Sequence, residues 1–594
     1  MLMAIGCSSS HKEPVSSDSQ SPSESTVPAK NENKQGMDPE LAEKRALARA
    51  NQEKRKARKE QAVNNLPTLN VIPIAPEKKD SSETDSGVNP ENKESASLPD
   101  PGTARDTEQS DAEPAEKSPV ELLCQKETAK KFKQDVLKTA EVRRQNWAPF
   151  PPVDDSLCHS LGIRKIESKH IVFYTDLPSS PALDEFPIVF DAAIPEFCRY
   201  FELDEANYEQ WRIEAFLMND TERFVTLGVL QNVPEFPNGY SMNSRIWIHD
   251  NHIEYYNRFL LMHELVHAFM HATFGDLWPR WYSEGIAEYL GLHYWDGSRI
   301  DLRVIPSDPD SINGFGRLAR IRSFVRDDRI LTLRQIMNFE PADYVSIDTY
   351  AWSWALVLFL DNHPRYQEIL RNIPWLMLTP DPNLAFETLV GKNWGTLEKD
   401  WADFLVSLDY DYQFKTTEID YTTGTPLDPG TTKKVAVSPR QGWQNSGVYF
   451  NQGDSFEIRT SGRIQLACPE QMLPCEANGI TLKYYNGHPW GQLLAVIVPD
   501  EPPSDFGEFY GMELPGLKEM TANPANAEKT TDGMEVIDRS GLCDLLFPWR
   551  DPVTPGTSWK GTADRSGTLF LRVNDSPGNI GNNRGIFHSE IKIR

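Results

Sequence analysis

The sequence predicts a multidomain chain in three parts: a disordered N-terminal tether, an α+β domain and a C-terminal all-β sandwich. Three observations predict it. The 594 residues include 27 Phe, 19 Tyr and 15 Trp, and none of these aromatics precedes Phe132. From 165 to 414 a few alternating apolar runs give way to long helical periodicity. Beyond a Thr-, Gly-, Pro- and Asp-rich linker at 415–435, only short strand patterns separated by turns follow, from 436 to 594.

Residues 8–118 are rich in Ser, Glu, Lys, Pro and Asn. Such a stretch has too little apolar surface to offset its conformational entropy, and it reads as a disordered linker. Within it, 39–63 has the composition of a solvated helix. The basic run Lys54-Arg55-Lys56-Ala57-Arg58-Lys59 lies among glutamates in a chain of net charge -26, so nucleic acid is excluded as a partner. No run of 18 or more apolar residues exists, so no membrane-spanning helix is expected. Cysteines stand at 7, 124, 158, 198, 468, 475 and 543. None forms C-x-x-C, which argues against zinc ribbons and thioredoxin-like redox motifs.

The opening Ala4-Ile5-Gly6-Cys7 resembles the lipobox of bacterial lipoproteins, whose cysteine is lipidated after cleavage before it. The resemblance implies that 1–7 ends a signal peptide. It further implies that Cys7 carries the lipid and that the protein is an extracytoplasmic, membrane-anchored bacterial lipoprotein touching the bilayer through that anchor alone. Ala4 stands where Leu is usual. The basic part and most of the apolar part of such a leader are missing, as they would be if translation began upstream. Six cysteines then remain, enough for three disulfides in an oxidising compartment. Cys468 and Cys475 are the nearest local pair.

Residues 119–164 read as a helical lead-in, with an amphipathic stretch running to Pro149-Phe150-Pro151-Pro152. A strand is expected at 170–175. A helix follows at 182–203, which Pro187 and Pro195 are placed to break. Further strands are expected at 211–218 and 245–249. Helical pattern then holds from 255 to 410, and a final alternating strand closes the chain at 587–594.

One motif carries chemistry. His263-Glu264-Leu265-Val266-His267 is H-E-x-x-H, inside an apolar run from 259 to 274 without Gly or Pro. On a helix, residues i and i+4 share a face, so two imidazoles one turn apart can grip one zinc ion. Glu264 is placed to act on a metal-activated water rather than to bind the metal. Sixteen residues separate His267 from Glu284 in Trp281-Tyr282-Ser283-Glu284-Gly285-Ile286-Ala287-Glu288-Tyr289. Pro279 suits the start of a second helix, which would bring Glu284 to the metal. Glu288, one turn on, would accept a hydrogen bond from a ligand imidazole. His271 lies a further turn along the first helix, too far for three histidines to meet one ion. It, His252 and His293 are read as non-ligands.

H-E-x-x-H followed by x-x-E-G-x-A-E-Y resembles the gluzincin clan of zinc metallopeptidases, most nearly the bacterial peptidase MA-like domains. The resemblance covers about 165–410. It implies a zincin-like fold with His263, His267 and Glu284 on Zn²⁺ and Glu264 as general base. The spacing to Glu284 is slightly shorter than in the related aminopeptidases. The metzincin pattern fails, because Met270 and Thr273 stand where it needs Gly and His. Such enzymes also need a donor to the oxyanion. Tyr350, opening the apolar helix to Leu360, is the candidate, with Tyr344 and Tyr282 as competitors. The strand at 245–249 resembles in position the edge strand on which gluzincins lay a peptide.

In the last part, Asp575, Asn579, Asn582 and Asn583 crowd one loop, a set of hard oxygen donors suited to Ca²⁺ or, equally, to an ion-free Asx-rich hairpin. Asp575 to Gly585 resembles the terminal motif of the LecA-like calcium-dependent galactophilic lectins, with Asn579 in place of Thr. That resemblance spans about 438–594, interrupted by an acidic Pro-rich insertion at 499–525. It implies Ca²⁺ on those four side chains and the backbone oxygen of Leu466, and galactose-type glycans as ligands. The combined expectation is a zinc metallopeptidase hydrolysing extracytoplasmic peptides or glycoproteins, with a Ca²⁺-dependent carbohydrate-binding module. The alternative is a catalytically inactive surface adhesin that uses the β-sandwich.

Overall fold

The computed structural model describes residues 126–594, apart from 146, 148, 276–278, 310, 312–315, 341–342, 345, 377–380, 469–470 and 501–547. The tether, the lipobox with Cys7, Cys124, Cys543 and most of the 499–525 insertion lie outside the described residues. The described chain mixes helix and sheet and is sheet-rich toward its C-terminus.

Seven described helices have ten residues or more: α1 (Lys126–Gln145), α2 (Phe186–Tyr200), α3 (Glu254–Phe274), α4 (Arg280–Gly291), α5 (Arg317–Arg326), α6 (Ile347–Asn362) and α7 (Trp394–Ser407). Pro187 does not break α2, because it sits in the first turn, where its missing N–H has no partner to lose. Pro195 lies inside the same helix.

Five strands form the first sheet: β1 (Arg164–Glu167), β2 (Ile171–Thr175), β3 (Ile213–Met218), β4 (Gly239–Met242) and β5 (Arg245–His249), in the order β1-β2-β3-β5-β4. β2, β3 and β5 run parallel, while β1 and β4 are antiparallel at the two edges. This corrects the expectation for 245–249. β5 is interior, its Ile246, Trp247 and Ile248 fully buried between two hydrophobic clusters. The edge strand is β4, whose Gly-Tyr-Ser-Met is too short for its alternation to reveal it. A hairpin of β6 (His293–Trp295) and β7 (Ile300–Leu302) interrupts the stretch that reads as helical.

Beyond residue 414 two four-stranded sheets share one core. One has the order β16 (Leu493–Val498), β18 (Gly567–Val573), β10 (Gln444–Phe450), β8 (Thr425–Pro426). The other runs β17 (Ser558–Thr562), β11 (Ser455–Ser461), β20 (Phe587–Ile593), β9 (Thr432–Val437). Phe450, Ala495, Leu569 and Leu571 from the first meet Phe456, Ile458, Phe587 and Ile591 from the second. β20 alternates buried and exposed along its whole length. The opposite face of the first sheet is also covered. Leu494, Val496, Val498, Phe570 and Trp443 belong to the core of the helical part. Along β16 and β18 successive side chains thus enter two different cores, which is why β16, Leu-Leu-Ala-Val-Ile-Val, is a continuous apolar run. The segment 415–435 joins this packing through buried Ile419 and through Tyr421, which packs on Trp549 and Phe570.

Three smaller strands, β12 (Ile464–Cys468), β13 (Gln471–Cys475) and β19 (Arg584–Gly585), form a sheet of their own, and β14 (Ile480–Tyr485) pairs with β15 (His488–Trp490). Cys468 and Cys475 do not pair. Both are free thiols at opposite ends of the β12–β13 hairpin, Cys468 across from Gln471 and Cys475 across from Ile464. At ~3.3 Å per residue along a strand their separation is beyond a disulfide's reach. Cys158 and Cys198 are also free and buried.

Candidate metal centre

α3 lies against β4 and β5 on one side and α4 on another, and α4 packs in turn on α6. Close approach of these helices depends on glycine. A Cβ at Gly285 would stand 2.5 Å from the Ser353 carbonyl oxygen and 2.6 Å from Val357 Cγ2. At Gly291 it would press on the backbone of His263 at 3.4 Å. The Glu284-Gly285 step therefore brings a carboxylate and the thin side of its helix to the same level of the core.

The three expected ligands meet. His263 Nε2 and His267 Nε2 are 3.2 Å apart. Glu284 Oε2 lies 3.3 Å from His267 Nε2 and 3.4 Å from His263 Nε2. Among the described residues this is the trio of His, Cys, Asp or Glu gathered closely enough to hold an ion. A tetrahedral zinc with bonds of about 2.0–2.1 Å has ligand-to-ligand edges of about 3.3 Å, so the triangle has the size that ion requires. Lone pairs facing one another at this distance repel unless a cation lies between them. All three residues are nearly buried, with between 5 and 9% of their surface exposed. Burial opposes ionisation of Glu284, but the two imidazoles, His267 foremost, outweigh it and hold the carboxyl well below the usual range.

Glu264 is not part of the triangle. It faces β4, where a Cβ at Gly239 would stand 2.6 Å from its Oε1, and Ser241 hydrogen-bonds its carboxyl. Burial, with the neighbouring charge of Glu284, pushes this carboxyl up to about 7, against the pull of His267. Gly239 and Ser241, which the sequence reading did not single out, thus leave room for Glu264 and orient it from the edge strand.

Outer contacts hold the imidazoles. Glu288 stands behind His263, its Oε1 3.5 Å from Nδ1, an ionic approach in which the expected hydrogen bond from the imidazole is not made. Glu288 is itself clamped by Arg317 through two hydrogen bonds, Nε to Oε2 at 2.8 Å and Nη2 to Oε1 at 3.0 Å. Ser283 Oγ lies 3.3 Å from His267 Nδ1. Nothing in the sequence singled out Arg317, which comes from α5. Ser283 was legible only as part of the motif.

Tyr350 lies in the first turn of α6, its ring centre 6.2 Å from that of His263 and 5.2 Å from that of Tyr344. Burial, then the charges of Glu284, Glu288 and Glu264, push its hydroxyl far up, so it stays a proton donor. Tyr344 spends its hydroxyl on Ser353 Oγ at 2.8 Å. Tyr282 is fully buried, and its electrostatic neighbours are Asp361 and Arg371 rather than the triangle. Of the other histidines, His252 is exposed and pairs with Asp250, His293 is buried beside Gly291 and Arg258, and His271 is outside the triangle.

Of the second expected set, two members form a buried pair. Asp575 and Asn583 are buried and bonded to each other, Asn583 Nδ2 to Asp575 Oδ2 at 2.9 Å. The remaining oxygens accept from the backbone, Asp575 Oδ1 from Ser576 N and Asn583 Oδ1 from Ala467 N, both at 2.8 Å. Asn579 and Asn582 are exposed on either side of a short turn. Leu466 is buried in β12. With the Asn583 amide in this orientation its nitrogen, a donor, faces Asp575, and in that orientation the pair does not offer two oxygens to a Ca²⁺ ion.

No protein-family model matches the chain, and no curated protein matches it. Among solved structures, the chain is similar to the N-terminal domain of EclA, described as a PllA-like lectin, at 15% identity over 27% of this chain and 95% of that one, with a TM-score of 0.16. A likeness so slight bears on neither fold nor ligand.

Proposed function

We propose that the chain is a zinc-dependent metallopeptidase of gluzincin type, carried outside the cytoplasm on a lipid at Cys7, acting on peptides or glycoproteins. The observation that supports it most is the triangle of His263, His267 and Glu284 with a second carboxylate, that of Glu264, beside it and outside the triangle. A purely structural zinc site has no use for Glu264. When bound, zinc supplies Lewis-acid polarisation of the scissile carbonyl and of the attacking water. Glu264 takes the proton of that water and passes it to the leaving amine, its carboxylate held beside the triangle by Ser241. Tyr350 donates a hydrogen bond to the carbonyl oxygen as its charge grows. β4, with its outer edge unpaired in the sheet, holds an extended substrate by backbone pairing. Glu288, fixed by Arg317, and Ser283 orient the imidazoles. The test is hydrolysis of a denatured casein digest by zinc-loaded protein. Glu264→Gln should lower the rate by about 10²-fold or more with zinc retained. Equal inertness of both proteins would leave the inactive surface-adhesin reading in its place.

For the C-terminal sheets we propose carbohydrate binding, supported by the likeness of Asp575 to Gly585 to the galactophilic lectin motif. Ca²⁺ enters this reading only if the Asn583 amide turns over, bringing its oxygen to where its nitrogen now meets Asp575. Binding to immobilised galactose with and without Ca²⁺, in wild type and Asp575→Ala, tests it. Retention that ignores both the ion and the substitution would refute the Ca²⁺ assignment.

A further inference from the structure

Arg280 opens α4 one turn ahead of Glu284, where the buried triangle meets the surface. Its side chain is 52% exposed against 11% for that of Glu284. Its Nη1 stands 3.8 Å from Glu284 Oε1, an ionic approach without a hydrogen bond. Glu284 turns its other oxygen to the imidazoles. The charge of Arg280 is also felt by Tyr240 on β4 and by Tyr344, which leads into α6. The guanidinium therefore lies within electrostatic range of both the edge strand and Tyr344, on the carboxylate side of the triangle. Among the described residues, none accepts a hydrogen bond from it, and Glu284, its ionic partner there, is committed to the metal.

We propose that Arg280 forms a subsite for a carboxylate of the substrate, next to the bond that is cut; this rests on the peptidase reading above. A planar guanidinium with unspent donors matches a carboxylate in two-pronged geometry better than any other side chain. A chain-terminal carboxylate and an Asp or Glu side chain offer the same chemistry. The first would make the enzyme a carboxypeptidase-like trimmer of chain ends, the second an endopeptidase selective for acidic sequences.

The test uses the zinc-loaded full chain and three peptidyl hydroxamates of one length, so that binding is read without turnover. One probe ends in a free carboxylate, one in a primary amide, and one in an amide with a glutamate as the adjoining residue. Calorimetric titration should give the free-carboxylate or the glutamate probe about a tenfold tighter affinity than the plain amide. Arg280→Gln should bring that probe to within twofold of the amide, leaving amide affinity and zinc content unchanged. Which probe gains identifies the source of the carboxylate. If all three bind wild type equally, the subsite is overturned and the peptidase reading stands. If the protein holds zinc yet binds no hydroxamate, the peptidase reading falls and the subsite with it.

Discussion

His293 fills two opposite hydrogen-bonding roles and has no place for a second ring proton. Its Nδ1 donates to the Gly291 carbonyl at 2.7 Å, and its Nε2 accepts from Arg258 Nε at 2.9 Å. Burial, helped by the Arg258 charge and opposed by the Gly291 bond, pushes the imidazole down to about 4 from 6.5. Between these values the unfolded chain binds the extra proton and the folded one does not. Stability must therefore fall as pH drops from 6.5 toward 4, by on the order of 3 kcal/mol when complete. Urea unfolding at pH 7.5 and pH 5 should show this loss in wild type and a smaller one in His293→Gln. His363, also held down by burial, contributes to both proteins and cancels. Equal acid losses in the two would contradict the assignment. At this scale the centre was largely legible: H-E-x-x-H and the later Glu284 need one helical turn and one second helix, and spacing alone encodes both. Arg317 was not, because an arginine on a distant helix has no spacing rule linking it to Glu288. Ser283 and Gly239 act by size and proximity, which sequence does not encode.

Among the elements, the contact of α4 with α6 controls the position of Glu284. The missing side chain at Gly285 lets the helices touch at the Ser353 carbonyl. Gly285→Ala must push them apart, and overpacking of this kind costs roughly 1–3 kcal/mol. The expected outcome is a lower melting temperature together with weaker zinc retention, since the displaced helix carries a ligand. A variant as stable and as zinc-replete as wild type would show that the contact is not what sets the ligand's place. The strands were less legible than the helices. β4 is four residues long, and the alternation of Tyr240 and Met242 with Gly239 and Ser241 is too short to mark a strand. β5, beside it, was recognised as a strand but not as an interior one, because burial on both faces shows only when its neighbours are known.

Over the whole molecule, the sheet formed by β16, β18, β10 and β8 serves two cores at once. Arg572, on the face of β18 toward α7, bridges them. Its Nη1 donates to Ser407 Oγ and its Nη2 to the Asp575 carbonyl, each at 3.0 Å. Tyr485 adds a bond from its hydroxyl to the Ser407 carbonyl at 3.0 Å. The parts so joined should unfold together. Calorimetry is expected to give one transition for 126–594, lowered but still single in Arg572→Leu, which removes buried hydrogen bonds worth about 1–3 kcal/mol each. Two separate transitions in wild type would show that the sheets fold independently of the helices. The linker composition of 415–435 gave no sign of this docking. Thr, Gly, Pro and Asp are turn formers, and they serve equally in a free linker and in a segment that threads strands onto a packed face.

Everything proposed for the reaction depends on one zinc ion held by three side chains with Glu264 left free. Metal analysis of purified wild type, His263→Ala and Glu264→Gln is the most direct test. The account predicts about one zinc per chain in wild type and in Glu264→Gln, and near none in His263→Ala. Zinc-free wild type after purification from zinc-containing medium, or loss of zinc in Glu264→Gln, would contradict it.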